Sequence, residues 1–271
     1  SVSEKLVYFS IPLLIYEAYY RITNPIFFVD FAAKGREDLF FYYFKVNSIM
    51  YQDSNFVGLF ILSLIFFLLY IKEITKKKYY ILISILVVLI FVTLSRSSII
   101  SFLLGILFFR LRHIIYRYRI ISFIAFSLII SMLFLVFLNY RYIDDSFSTK
   151  FYILERTLEY INKTDITGIL FGVGFGNAYS VLDIGAHNFF VCYLVESGLI
   201  GLVMVLILWT QILLKTRFKA GVVIFPFLLN GMSLTTGAIP YLYCMFSVIL
   251  ILESRKNEFT KRISISNYSS L

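Results

Sequence analysis

The chain is divided by apolar runs too long and too frequent for a soluble domain. They cover about Leu6 to Tyr20, Asn55 to Ile71, Tyr79 to Leu94, Ser97 to Phe109, Ile120 to Leu138, Asn188 to Leu214, Ala220 to Gly237 and Tyr241 to Leu252. The stretch after His187 continues without a charged residue from Phe189 to Val195 and, past Glu196, on to Trp209, long enough to cross a bilayer. Composition points the same way, since 60% hydrophobic residues, 19% aromatic residues and a mean hydropathy of +0.85 exceed what soluble domains carry. The expected fold class is therefore all-α, a polytopic membrane helix bundle of about eight transmembrane segments forming a single integral membrane domain over 1–271. No internal repeat or low-complexity segment is evident.

Charge placement gives this bundle a direction. If every run crosses, the cluster of Lys72 with Lys76 to Lys78, that of Arg110, Arg112, Arg117 and Arg119, that of Lys215, Arg217 and Lys219, and that of Arg255, Lys256, Lys261 and Arg262 all face one side. With Lys5 that side holds 16 basic and 4 acidic residues, the other 9 basic and 10 acidic, and Glu17 and Glu196 fall within spans. The positive-inside rule makes the basic side cytoplasmic. The formal charge of +9 thus belongs to short clusters between apolar runs, and nucleic acid is a poor partner for it. The outer polar regions are about Arg21 to Ser54 and a large loop over 139–187. Within that loop Phe151, Leu154, Leu158 and Ile161 recur at helical spacing, which predicts a short amphipathic helix from Lys150 to Ile161 lying at the interface. Tyr79 to Leu94 and Ser97 to Phe109, at about 16 and 13 residues, are short of a full crossing and read as short spans or a re-entrant pair. Because Ser1 is not Met and no signal peptide precedes the first run, the chain is expected to be the C-terminal part of a longer one.

Candidate chemistry collects at the outer ends. Arg96, in TLSRSS, follows a short span where a guanidinium needs an anion or water, and its planar fork suits phosphate; the bland alternative is an arginine that snorkels to headgroups. His187, at the mouth of the long span, could accept a proton from a sugar hydroxyl near neutral pH, while Asn188 could orient the ring or a substrate; a helix-entry histidine bonded to backbone is an equal alternative. Glu196, in VESGLIG, would lie about 12 Å along a continuous helix from Asn188, where a carboxylate needs a cation or donor. Lys150 and Arg156 add positive charge to the large loop, interleaved with Glu155 and Glu159, and a solvated face is the default for them. GVGFG, at 172–176, is weak evidence for a phosphate cradle, because no strand precedes it and no Gly-Lys-Ser/Thr follows. Asp53 and Asn55 most simply cap the second span. Cys192 and Cys244 fall in apolar segments without CxxC spacing, and no metal-ligand pattern or cofactor motif is present, so neither a metal nor a cofactor is expected.

Taken in order, QDSNFVGLFIL, TLSRSSIISFLLGILFF, GVGFG and AHNFFVCYLVESGLIGL resemble the bacterial O-antigen polymerase and O-antigen ligase superfamily over most of the chain after about Asp53. The resemblance implies a metal-independent glycosyltransferase of the bacterial inner membrane that acts on the periplasmic face. Its donor would be an undecaprenyl-diphosphate-linked glycan, with membrane lipids and a polysaccharide chain-length regulator as partners. Arg96 matches the family arginine that would hold the diphosphate, and His187 the family histidine that would position or deprotonate the acceptor hydroxyl. Family members often carry an arginine earlier in the large loop; here Lys150 stands closest and Arg156 lies further along the same stretch, so either would serve. The resemblance implies a polymerase joining repeat units, with the ligase that transfers polymer to lipid A-core as runner-up. A flippase for the same lipid would instead place broken helices and ionisable groups near the midplane.

Overall fold

The computed structural model describes residues 2–27, 43–51, 53–118, 145–232 and 239–268. Every regular element among them is helical: α1 (Val2–Thr23), α2 (Ser54–Thr75), α3 (Tyr80–Val92), α4 (Arg96–Arg117), α5 (Asp145–Lys163), α6 (Ile166–Phe171), α7 (Ala178–Leu182), α8 (Phe189–Lys215), α9 (Gly221–Gly231) and α10 (Pro240–Tyr268). Three are long and apolar enough to cross a membrane, namely α2, α4 as far as Ile115, and α8. The apolar helices α3 and α9 are shorter, at 13 and 11 residues. Of the eight expected crossings, the one over Ile120 to Leu138 lies outside the described residues, as do 233–237 of the seventh.

The fourth span is longer than its apolar run. α4 continues through the basic cluster to Arg117, for 22 residues. Arg112 shows why charge does not end it: the side chain folds back, donates to Phe109 O at 3.0 Å and stacks 3.9 Å from the Phe109 ring, leaving the residue 8% exposed. Only α3 keeps the short length that the sequence predicts, about 20 Å at 1.5 Å per residue.

The chain divides into two compact units, Ser1–Phe102 with Leu206–Asn230 and Ala238–Leu271, and Leu103–Val205 with Gly231–Gly237. In the first unit α2 is the core, packed by both α1 and α3. Its most apolar window is 83% buried, against 28% and 33% for α4 and α8, whose apolar side chains remain largely open. Asp53 caps α2 as predicted, accepting from Asn55 N at 2.8 Å, and Lys76 closes it in a left-handed conformation with its N–H on Lys72 O.

Polar contacts gather at the two ends of this unit. At one, where α1 starts and α2 stops, Lys77 pairs with Glu4 at 2.7 Å, and the buried Glu253 takes a hydrogen bond from Tyr70 at 3.0 Å and an ion pair from Lys219 at 2.6 Å. Basic residues of separate clusters, Lys77 and Lys219, therefore sit at the end that the charge distribution assigns to the basic side. At the other end α1 stops, α2 starts, and the turn between α3 and α4 carries Arg96.

In the second unit α5, α7 and the start of α8 share a core of Ile153, Ala178, Leu182, Ala186, Val191, Cys192 and Val195. The predicted amphipathic helix is present as α5, yet it is rotated from the expected stripe. Phe151, Ile153 and Thr157 face inward, whereas Leu154 and Leu158 are 42% and 61% exposed. Thr157 tolerates burial because its hydroxyl donates to Ile153 O at 2.7 Å. Tyr160 fixes the same face by donating to Gly168 O at 3.1 Å.

The expected continuous helix after His187 is broken. Gly198 adopts φ 67° and ψ −173°, a conformation open in practice to glycine alone, inside the 27 residues of α8. The break frees carbonyls of the preceding turn, and the glycine-rich loop uses them: Val173 N–H donates to Val195 O and Gly174 N–H to Glu196 O, both at 2.9 Å. GVGFG is thereby explained as a backbone stitch into a helix break. The fit is close, since a Cβ on Gly198 would lie 2.3 Å from Leu170 O, and one on Gly172 would lie 2.5 Å from the Glu196 carbonyl carbon.

Candidate functional site

Arg96 occupies the first position of α4 and is exposed. Its turn is pinned from two directions. Arg21, fully buried, pairs with Glu17 at 3.0 Å, donates to Val92 O at 2.8 Å, and hydrogen-bonds Phe44 O. Ser54, at the start of α2, donates its hydroxyl to Thr93 O at 2.7 Å and its N–H to Lys45 O at 2.9 Å. A buried guanidinium with three directed bonds holds these segments in one arrangement, and with them the backbone that presents Arg96.

Lys45 belongs to the same end and is 6% exposed. Burial is the main reason its ammonium is held below the usual lysine range; the negative charge of Asp53 opposes this, and the positive charges of Arg96 and Arg21 add to it. Nothing in the first fifty residues marks Lys45 by spacing. The visible signal is Glu17 with Arg21, an i,i+4 ion pair at the end of an apolar run, which announces a buried polar contact without saying to what.

His187 lies in the second unit, in the loop between α7 and α8. Ala186 and Phe189 on either side of the His187–Asn188 pair are 1% and 2% exposed, so the backbone is anchored while the imidazole is turned outward. Its φ of 29° is unusual for a residue with a side chain. The ring lies over Gly185, with Nε2 3.2 Å from where a Cβ would stand. A solvent-facing imidazole on strained, fixed backbone can exchange a proton with a group docked above it.

Two of the other residues predicted for the site, Asn188 and Arg156, make structural contacts. Asn188 caps α8, its Oδ1 accepting from Phe190 N at 2.9 Å and Val191 N at 3.2 Å, and its amide donates to Met232 O at 3.3 Å. Asn188→Ala is expected to cost about 0.5–2 kcal/mol, read as a lower melting temperature, whereas Asn188→Asp keeps the cap and most of the stability. Arg156 ion-pairs with Asp183 and with Glu159 at 3.0 Å, and lies 5.6 Å from the Tyr152 ring centroid. It thus ties α5 to the residue that ends α7, four positions before His187. The Arg156 hydrogen bond, helped by Lys163, holds the Glu159 carboxyl below the usual range. Lys150 lies half-buried on α5. Glu196 is 8% exposed, on the helical stretch from Phe189 that precedes the break at Gly198, and its carbonyl accepts from Gly174 N at 2.9 Å.

The structure therefore places His187, Asn188, Arg156, Lys150 and Glu196 in one unit and Arg96 in the other. Compared with known protein families, with curated proteins and with solved structures, the chain gives no match.

Proposed function

We propose that the chain is a membrane-embedded, metal-independent glycosyltransferase that joins undecaprenyl-diphosphate-linked repeat units into a surface polysaccharide, acting at the periplasmic face of a bacterial inner membrane. An acceptor hydroxyl oxygen attacks the anomeric carbon of the donor glycan, and the bond from that carbon to the diphosphate oxygen breaks. His187 takes the hydroxyl proton. The lipid diphosphate leaves with the bonding electrons. The observation that carries this function is the exposed imidazole held at φ 29° on a segment anchored by buried Ala186 and Phe189, at the mouth of an apolar helix. Support also comes from the outward apolar side chains of the second unit, where Leu158, Phe171, Phe175 and Tyr179 are 61% or more exposed and suit an interfacial loop that receives a lipid-borne substrate.

The broken α8 is the one feature that favours a flippase, since transporters use such breaks to bind cargo. Here the carbonyls freed by the break already accept from Val173 and Gly174, which argues for a structural break. Supplying the purified full chain with lipid-linked repeat units alone separates the possibilities: a ladder of longer glycans is expected. Transfer seen only when lipid A-core is added would make the chain a ligase, and movement of lipid across the bilayer without transfer would make it a flippase.

A further inference from the structure

The glycine loop of the second unit closes the helix break with its backbone, and that task leaves its phenylalanines unexplained. Gly172, Gly174 and Gly176, with φ of 73°, 94° and 81°, supply the turn, and the N–H groups of Val173 and Gly174 make the stitch. Neither uses the side chains of Phe171 and Phe175, which are 61% and 71% exposed, as are those of Ile166 and Tyr179 in the same segment, at 68% and 67%. From Ile166 to Leu182 the chain carries no charged residue, whereas α5 just before it carries one in nearly every turn. Large apolar side chains gathered at a surface without charge mark a surface that meets something apolar.

What they meet follows from α8. Before the break its side chains lie in the core, with Phe189, Cys192 and Val195 at 2%, 1% and 0% exposure. After it Leu199, Ile200, Val203 and Met204 are open, at 45%, 40%, 43% and 65%. The break therefore separates a stretch packed in protein from one left open to lipid, in a helix long and apolar enough to cross a membrane. From Leu199 to Leu214 there are about 16 uncharged residues, roughly 24 Å at 1.5 Å per residue, and Lys215 suits the far surface. A hydrocarbon core is about 30 Å thick. The shortfall of about 6 Å, larger if the helix tilts, falls on the last turn before the break. That turn is where Val195 O and Glu196 O hold the glycine loop, and a Cβ on Gly198 would lie 2.5 Å from Phe171 N. The loop reaches this level with much of its backbone bonded, as irregular backbone beside hydrocarbon requires: Gly172 N donates to Gly168 O at 2.8 Å, Asn177 N to Gly174 O at 3.2 Å and Asn177 Nδ2 to Val173 O at 3.1 Å.

We propose that the glycine loop is a membrane anchor whose Phe171 and Phe175 side chains enter the bilayer where headgroups meet acyl chains, with the break at Gly198 marking that level on α8. The partner is the lipid surface. The anchor requires only that α8 crosses the membrane, and it stands or falls apart from glycan transfer.

The test uses the purified full chain in phosphatidylcholine vesicles, with Phe175→Trp as reporter. Trp209, the one native tryptophan, is 3% exposed, and the emission of the unaltered protein is subtracted as background. The added tryptophan is expected to emit to the blue of tryptophan in water. It is expected to lose roughly half of that emission to lipid brominated on the sixth and seventh acyl carbons, and less to lipid brominated on the eleventh and twelfth, as fits an insertion depth of about 5–10 Å. Blue emission that neither lipid quenches would mean a protein cover, such as a second copy of the chain, and unshifted emission a loop in water; either result overturns the anchor. In the unaltered protein, phosphatidylcholine with a photoactivated carbene precursor in its acyl chain is expected to label Phe171 and Phe175, read by mass spectrometry, which keeps the test valid if Phe175→Trp fails to fold. Label on Leu199 to Met204 with none on the loop overturns the anchor and leaves α8 in the membrane. Quenching in Phe175→Trp while the wild type transfers no glycan keeps the anchor and removes the glycosyltransferase function.

Discussion

His187→Asn is expected to lower the rate of glycan transfer by about 10²- to 10⁴-fold, the usual contribution of a positioned general base, with little change in melting temperature. Asparagine is the informative replacement because it tolerates positive φ better than most side chains, and His187 has φ 29°. It can still hydrogen-bond a hydroxyl but cannot hold its proton at neutral pH. His187→Ala would mix the chemical loss with backbone strain. The expected defect falls on kcat, since a group that takes a proton during the reaction acts mainly in the transition state. Activity within about threefold of wild type, on the scale of that expected loss, would remove His187 from the chemistry and leave it as an exposed loop residue.

Gly198→Val is expected to be the most damaging single substitution for the second unit, at about 3–5 kcal/mol from forced backbone and overlap together. Any Cβ there would lie 2.3 Å from Leu170 C and O and 2.5 Å from Phe171 N, and these are backbone atoms that a rotamer change cannot move. Relief would have to come from re-forming a continuous helix, which withdraws the Val195 and Glu196 carbonyls from Val173 and Gly174. The consequence reaches the α7 end of the loop as well, because Val173 packs against the core that includes Ala186 and Leu182. Thermal unfolding of the purified protein is expected to shift down by at least about 5 °C. An unchanged melting temperature for both Gly198→Ala and Gly198→Val would mean that the break is not a fixed feature of the fold.

These two positions mark the limits of sequence reading in this chain. The apolar runs locate the helices because their length and composition act locally, and Asp53 is legible as a cap because a carboxylate before an apolar run meets free N–H groups. Asn188 carries the same signal, directly before Phe189, and its capping role is the simpler inference from its position. The break at Gly198 is different, since a glycine inside an apolar run looks the same whether it permits close packing or an abrupt turn. Only the partner settles it, and the partner is a loop more than twenty residues earlier whose glycines look like a phosphate cradle when read alone. The face of α5 was hidden for a related reason. Leucine spacing selects Leu154 and Leu158, but Ile153 and Thr157 make the inward contacts, and the threonine hydroxyl is satisfied within its own helix. Lys45 has no local mark at all; its burial follows from Arg21 reaching across to Phe44 and Val92.

The most direct measurement is the stoichiometry of transfer: undecaprenyl diphosphate released, counted against glycosidic bonds formed, by the purified chain supplied with lipid-linked repeat units. One lipid diphosphate released for each new bond in the wild type, with both quantities lost together in His187→Asn, is the predicted result. Lipid-linked glycan that changes leaflet with its diphosphate bond intact, or that is left unreacted by a folded wild-type protein, would contradict it.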